Sequence, residues 1–109
     1  MNRVVVTGMS GISAMGTDWE STLTSLKAGR NFVKRMPDWD RFDGLNTRLA
    51  SPITDFETPK AYTRKKIRSM GRVSLLATVA TQKALDDAGL LDHPSLTNGD
   101  TGIAYGSST

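Results

Sequence analysis

Of the 109 residues none is cysteine and only one, His93, is histidine. That excludes disulfides, a thiolate nucleophile and any Cys-ligated metal from this stretch, and a His-based metal cluster has no ligands to draw on. His93 stands beside Pro94 in a polar loop, where an exposed structural role is expected rather than a chemical one. Asp38, Asp40 and Asp43 are spaced D-x-D-x-x-D, but the glycine and terminal glutamate of a twelve-residue calcium loop are missing, so a solvated turn is expected. Gly8, Gly11 and Gly16 follow an apolar run, yet their spacing is not G-x-G-x-x-G and no acidic residue follows at the ribose-binding distance. A dinucleotide cofactor is therefore not expected.

What remains is charge. Between Glu57 and Asp86 no acidic residue appears, while Lys60, Arg64, Lys65, Lys66, Arg68, Arg72 and Lys83 all fall there, seven of the chain's fourteen basic residues. Arg64 and Arg68 are four apart and share one face of a helix, with Lys65 beside them. Like charges at that spacing are mildly unfavourable for a helix, and no carboxylates interleave with them. A local patch of this kind suits one acidic partner better than a coat over a polyanion, although the net charge is only +3.

The elements that must carry this patch are legible around it. Thr63 can cap a short helix through Ser69. From Met70, the residues Met70, Val73, Ala77, Ala80, Ala84, Leu85 and Ala88 recur at helical spacing, with Leu76 and Val79 widening the stripe. The alanines would let this helix approach another backbone closely, and Gly89 provides its stop. Upstream, Arg3 to Gly8 is a continuous apolar run that predicts a strand covered on both faces. The glycines after it allow a turn and close backbone approach. Thr17-Asp18-Trp19-Glu20 reads as a capping box with Thr17 as the cap; Trp19, Leu23 and Leu26 would pack, and Gly29 would end the helix. Residues 31–59 are irregular and punctuated by Pro37, Pro52 and Pro59, with a short strand at Arg48-Leu49-Ala50. Asn98-Gly99-Asp100 turns into a second apolar strand, Thr101 to Gly106.

Strand, helix, irregular stretch, helix, strand predicts an α/β architecture with a right-handed crossover to a parallel neighbour. Two strands covered on both faces need more partners than 109 residues supply, which predicts the opening part of a longer protein. No apolar run reaches membrane-spanning length and no secretory leader is visible, so a soluble cytoplasmic protein without a membrane partner is expected. A small nucleic-acid-binding module lacks support, because only Tyr62 interleaves with the cations and no recognition motif is present.

Several segments are recognisable in order. Arg3 to Gly16, RVVVTGMSGISAMG, resembles the amino-terminal strand and turn of the β-ketoacyl-acyl-carrier-protein synthases, the condensing enzymes of fatty-acid synthesis. Leu26 to Arg30 resembles the end of their first helix, and Thr63 to Leu76, TRKKIRSMGRVSLL, their basic segment and following helix. Ala84 to Leu91 and Gly102 to Ser107 match a helix end and the next strand. The elongating type (synthases I and II) is nearer than the initiating type. Ser10 departs from the glycine common in the family's first turn.

The resemblance implies a thiolase-like fold layered α-β-α-β-α, of which residues 1–109 would be the first part of the amino-terminal half, an incomplete domain. It implies a homodimer that extends acyl thioesters with malonyl-carrier protein by decarboxylative Claisen condensation, without a cofactor. The family's cysteine and two histidines match nothing here, His93 included, so this chain alone is expected to be inactive. Arg64, Lys65 and Arg68 match the residues that dock acyl carrier protein, with Lys66 and Arg72 assisting. Ser107 and Thr109 fall where the family borders its acyl pocket. A non-catalytic subunit of the same fold, like a chain-length factor, is the alternative.

Overall fold

The computed structural model describes residues 2–108. Helix α1 spans Trp19–Lys27, and its cap is Asp18 rather than Thr17. The Asp18 carboxylate accepts from the Ser21 amide at 2.8 Å, whereas the Thr17 carbonyl is engaged by Lys83 Nζ at 2.6 Å. With Asp18 as the cap, Glu20 sits one residue too early to reach back, so the expected capping box does not form. Gly29 ends the helix at φ +61 as anticipated. Trp19, expected to pack, is exposed; the residue that α1 buries is Ser25, whose hydroxyl donates to the Met15 carbonyl at 3.0 Å. That bond fastens α1 to the tight turn closed by paired Ser13 and Gly16 backbones.

The irregular stretch contains a small hairpin. Strand β1 (Lys34–Arg35) pairs antiparallel with β2 (Leu49–Ala50), Lys34 opposite Ala50 and Arg35 opposite Leu49. Two residue pairs cannot sustain a hairpin in water. Asp40, on the short 3-10 helix Pro37–Arg41, holds it from the side. Arg35 Nη2 donates to both Asp40 carboxylate oxygens (2.8 and 2.7 Å), and Arg48 Nε lies 2.9 Å from one of them. The solvated turn expected from the three aspartates is thus a turn clamped by two arginines.

A one-turn helix α2 (Arg64–Ile67) leads into α3 (Arg72–Asp87), the longest element. Helix α3 ends as the sequence predicts: Gly89 at φ +67 donates to the Asp86 carbonyl, and Leu90 N to the Leu85 carbonyl at 2.8 Å, the paired bonds of a Schellman stop. Val79, 4% exposed, is its one buried residue, while Met70 and Val73 from the expected stripe lie open. The alanine face does what small residues allow. It receives the backbone at Gly8, where a Cβ would fall 2.5 Å from the Ala84 carbonyl oxygen and 2.6 Å from the Ala88 nitrogen. Next to it, the Met9 amide donates to Asp87 Oδ2 at 2.9 Å.

The two predicted strands are the main departure. Residues 3–8 and 101–106 form no ladder with each other or with any other described segment. Val4 is 94% and Ile103 76% exposed, so the faces expected to be covered stand open. A strand exists through its partners' hydrogen bonds, and the described residues supply none. Residues 101–106 rest on α3 through the hydroxyl of Tyr105, which meets that of Thr81.

Candidate functional site

Helix α2 projects the cations. Thr63 caps it through its backbone: its carbonyl accepts from Lys66 N (2.9 Å) and Ile67 N (3.2 Å), while its hydroxyl makes no capping bond. Ile67 turns inward and is half-buried, and Arg64, Lys65, Lys66 and Arg68 are exposed around it. None of these four side chains makes a hydrogen bond or ion pair among the described residues. A cation in the first turn of a helix opposes the positive end of the helix dipole. The arrangement therefore does nothing for the helix and leaves four charges available to an anionic surface.

The structure divides the basic run in a way the sequence does not announce. Arg72, counted as an assistant to the patch, donates from Nη2 to the Ile53 carbonyl at 2.6 Å and stands 5.9 Å from the Phe56 ring centre. Lys83 is spent on the Thr17 carbonyl. Tyr62, noted only as the lone aromatic near the cations, donates its hydroxyl to Gln82 Oε1 at 2.6 Å, a contact twenty residues apart for which the sequence carries no signal.

His93 is exposed, and its Nδ1 accepts from the Ser95 amide at 3.2 Å, capping the short turn Pro94–Leu96. Ser107 is exposed, and Thr109 lies outside the described residues. An open cavity of about 550 Å³ lies between residues 13–18, α1 and residues 53–55, with Arg30 and Asp55 among its walls. The α1 amide end that faces it is already occupied by Asp18, which lowers that carboxyl's pKa chiefly through the Ser21 amide. Among the described residues no group of three or more His, Cys, Asp or Glu side chains could hold a metal ion.

The family described as beta-ketoacyl synthase, N-terminal domain, matches residues 1–109. The chain belongs to the β-ketoacyl synthase family. A crystal structure of a β-ketoacyl synthase from Burkholderia phymatum superposes with a TM-score of 0.91 at 54% identity, covering 99% of this chain and 26% of that one. The fold is accordingly thiolase-like. The 3-oxoacyl-(acyl-carrier-protein) synthase 1 of Haemophilus influenzae is 31% identical over 109 residues, all of this chain and 26% of its own length. The 3-oxoacyl-(acyl-carrier-protein) synthase 2 of Synechocystis is 32% identical over 89 residues, 82% of this chain and 21% of that protein. The chain thus spans about a quarter of the synthases it matches. Among the described residues no helix is long and apolar enough to cross a membrane.

Proposed function

We propose that residues 1–109 are the amino-terminal part of an elongating β-ketoacyl synthase and that α2 is its docking site for acyl carrier protein. Arg64, Lys65 and Arg68 meet the acidic recognition helix of the carrier, with Lys66 beside them. The observation that carries the reading is the exposure of these cations on one short helix, with no carboxylate partner among the described residues. Exposed charges of this kind steer encounter and fix orientation more than they add affinity. Arg72 is excluded from the docking set because it holds Ile53 and Phe56.

The whole enzyme, a cytoplasmic homodimer in this reading, extends an enzyme-bound acyl group. Loss of carbon dioxide from malonyl-carrier protein leaves an enolate whose carbon attacks the acyl thioester and expels the enzyme's thiolate. This chain has no cysteine, so the nucleophile is supplied elsewhere in the enzyme. Residues 1–109 contribute scaffold, docking and, at Ser107 and Thr109, the border of the acyl pocket. The test is carrier binding by the full-length enzyme across a salt series. Lys65→Glu and Arg68→Glu should each lower the association rate on the order of tenfold at low salt and flatten its salt dependence. Unchanged rate and slope in both variants would remove the assignment.

A further inference from the structure

Helix α2 cannot hold its own orientation. It is four residues long, far below the length at which a helix sustains itself in water. Its Thr63 hydroxyl makes no capping bond. Arg64 opposes the dipole at the N-terminus, and Arg64 and Arg68 repel across one turn. What aims the cations must therefore come from outside the helix. Two contacts flank it. Before it, the half-buried Tyr62 donates its hydroxyl to Gln82 Oε1 in the middle of α3. After it, Arg72 at the start of α3 is bound to the Ile53 carbonyl. The first ties the lead-in of the one-turn helix to the sixteen-residue α3, and the second fixes the start of α3 against residue 53.

We infer that Tyr62 and Gln82 are positioning residues that set the direction of the α2 cations toward the carrier, an assignment that rests on the docking reading above. Their hydrogen bond adds no charge to the surface. It narrows the range of orientations that α2 samples, so that less freedom is lost when the carrier docks.

The experiment compares Tyr62→Phe and Gln82→Met, singly and together, in the full-length enzyme, with Lys65→Glu as reference. Steady-state rates are measured with carrier-bound acyl substrate and with a free acyl thioester that carries no protein. Tyr62→Phe keeps the ring and removes only the donor. The carrier-bound KM should rise about two- to tenfold, the range expected for one neutral hydrogen bond. The kcat, the salt slope and the free-thioester kinetics should stay as in the wild type. Gln82→Met should behave alike, and the two changes together should be no worse than either. Equal losses on both substrates would show a general structural role and overturn the inference, as would a Tyr62→Phe enzyme with wild-type carrier kinetics. If Lys65→Glu also left carrier kinetics untouched, the docking reading itself would fall. A lesion in Lys65→Glu alone would leave docking intact and remove only the tether.

Discussion

Adding one methyl group at Gly8 tests how the first segment is seated on α3. An alanine Cβ there would lie 2.5 Å from the Ala84 carbonyl oxygen, 2.6 Å from the Ala88 nitrogen and 2.7 Å from the Ala88 Cβ. Ordinary contact begins near 3.4 Å, so the segment and the helix must part by close to 0.9 Å, the difference from 2.5 Å. Two of the three obstructing atoms are backbone and cannot rotate away. Overpacking of this kind costs about 1–3 kcal/mol, and the fixed obstacles put Gly8→Ala at the upper end. The Met9 amide bond to Asp87 would stretch with it. In the full-length synthase the thermal midpoint should fall by about 5 °C, since each kcal/mol moves a large domain by roughly 2 °C. Gly11 is the control: a Cβ there meets nothing within 4 Å, so Gly11→Ala should leave the midpoint within about a degree. Adding Ala88→Gly to Gly8→Ala removes one obstacle of three and should recover only part of the loss. Equal midpoints for Gly8→Ala and Gly11→Ala would refute the close approach, and full recovery with Ala88→Gly would refute the backbone obstruction.

Two further perturbations probe the elements around it. The Asp18 carboxyl has its pKa lowered from 3.8, first by the Ser21 amide, with the charge of Lys83 adding to it. A depressed carboxylate contributes stability that is complete above its unfolded pKa and lost as the pH falls through the folded one. Asp18→Asn, which keeps a capping oxygen but not the charge, should therefore be slightly less stable than the wild type near neutrality and show a shallower loss of helical circular dichroism below pH 3.8, whereas an unchanged acid limb would remove Asp18 as its source. At the hairpin, Asp40→Asn should leave global stability within about 1 kcal/mol, since the Arg35 and Arg48 pairs are exposed. It should nonetheless speed hydrogen exchange at the Met36 amide, now bonded to the Arg48 carbonyl at 2.8 Å, and exchange at the wild-type rate would show that the carboxylate does not hold the hairpin.

What the residues announced in advance were the features fixed by near neighbours. The stop of α3 at Gly89 and the end of α1 at Gly29 depend on a backbone twist that glycine accepts, and both appear with positive φ. The short strand near Arg48 to Ala50 and the helix start after Thr63 were likewise readable from adjacent residue types, although the Thr63 hydroxyl makes no capping bond and the helix stops at Ile67, short of the expected Ser69. The Asp18 cap was missed by one position, because choosing between two neighbouring capping residues depends on Lys83, sixty-six residues away, taking the Thr17 carbonyl. The apolar runs at 3–8 and 101–106 carry strand-type residues, yet neither forms a strand among the described residues. Ladder formation is a property of partners, and the described residues provide none.

The basic run shows the same division inside a single motif. Its charge and its freedom from acids are sequence properties, and they establish that a patch is possible. They cannot rank its members, because Arg72 and Lys83 look no different from Lys65 until tertiary contacts are known. Folding spends the two cations on α3 on the carbonyls of Ile53 and Thr17, distant segments that α3 must hold. It leaves untouched the cations on α2, a four-residue helix whose half-buried residue is Ile67. The element with the least stability of its own thus keeps the charges most able to act on another molecule. That combination works only if something else fixes its direction, which is why a neutral bond between Tyr62 and Gln82 matters to an electrostatic surface.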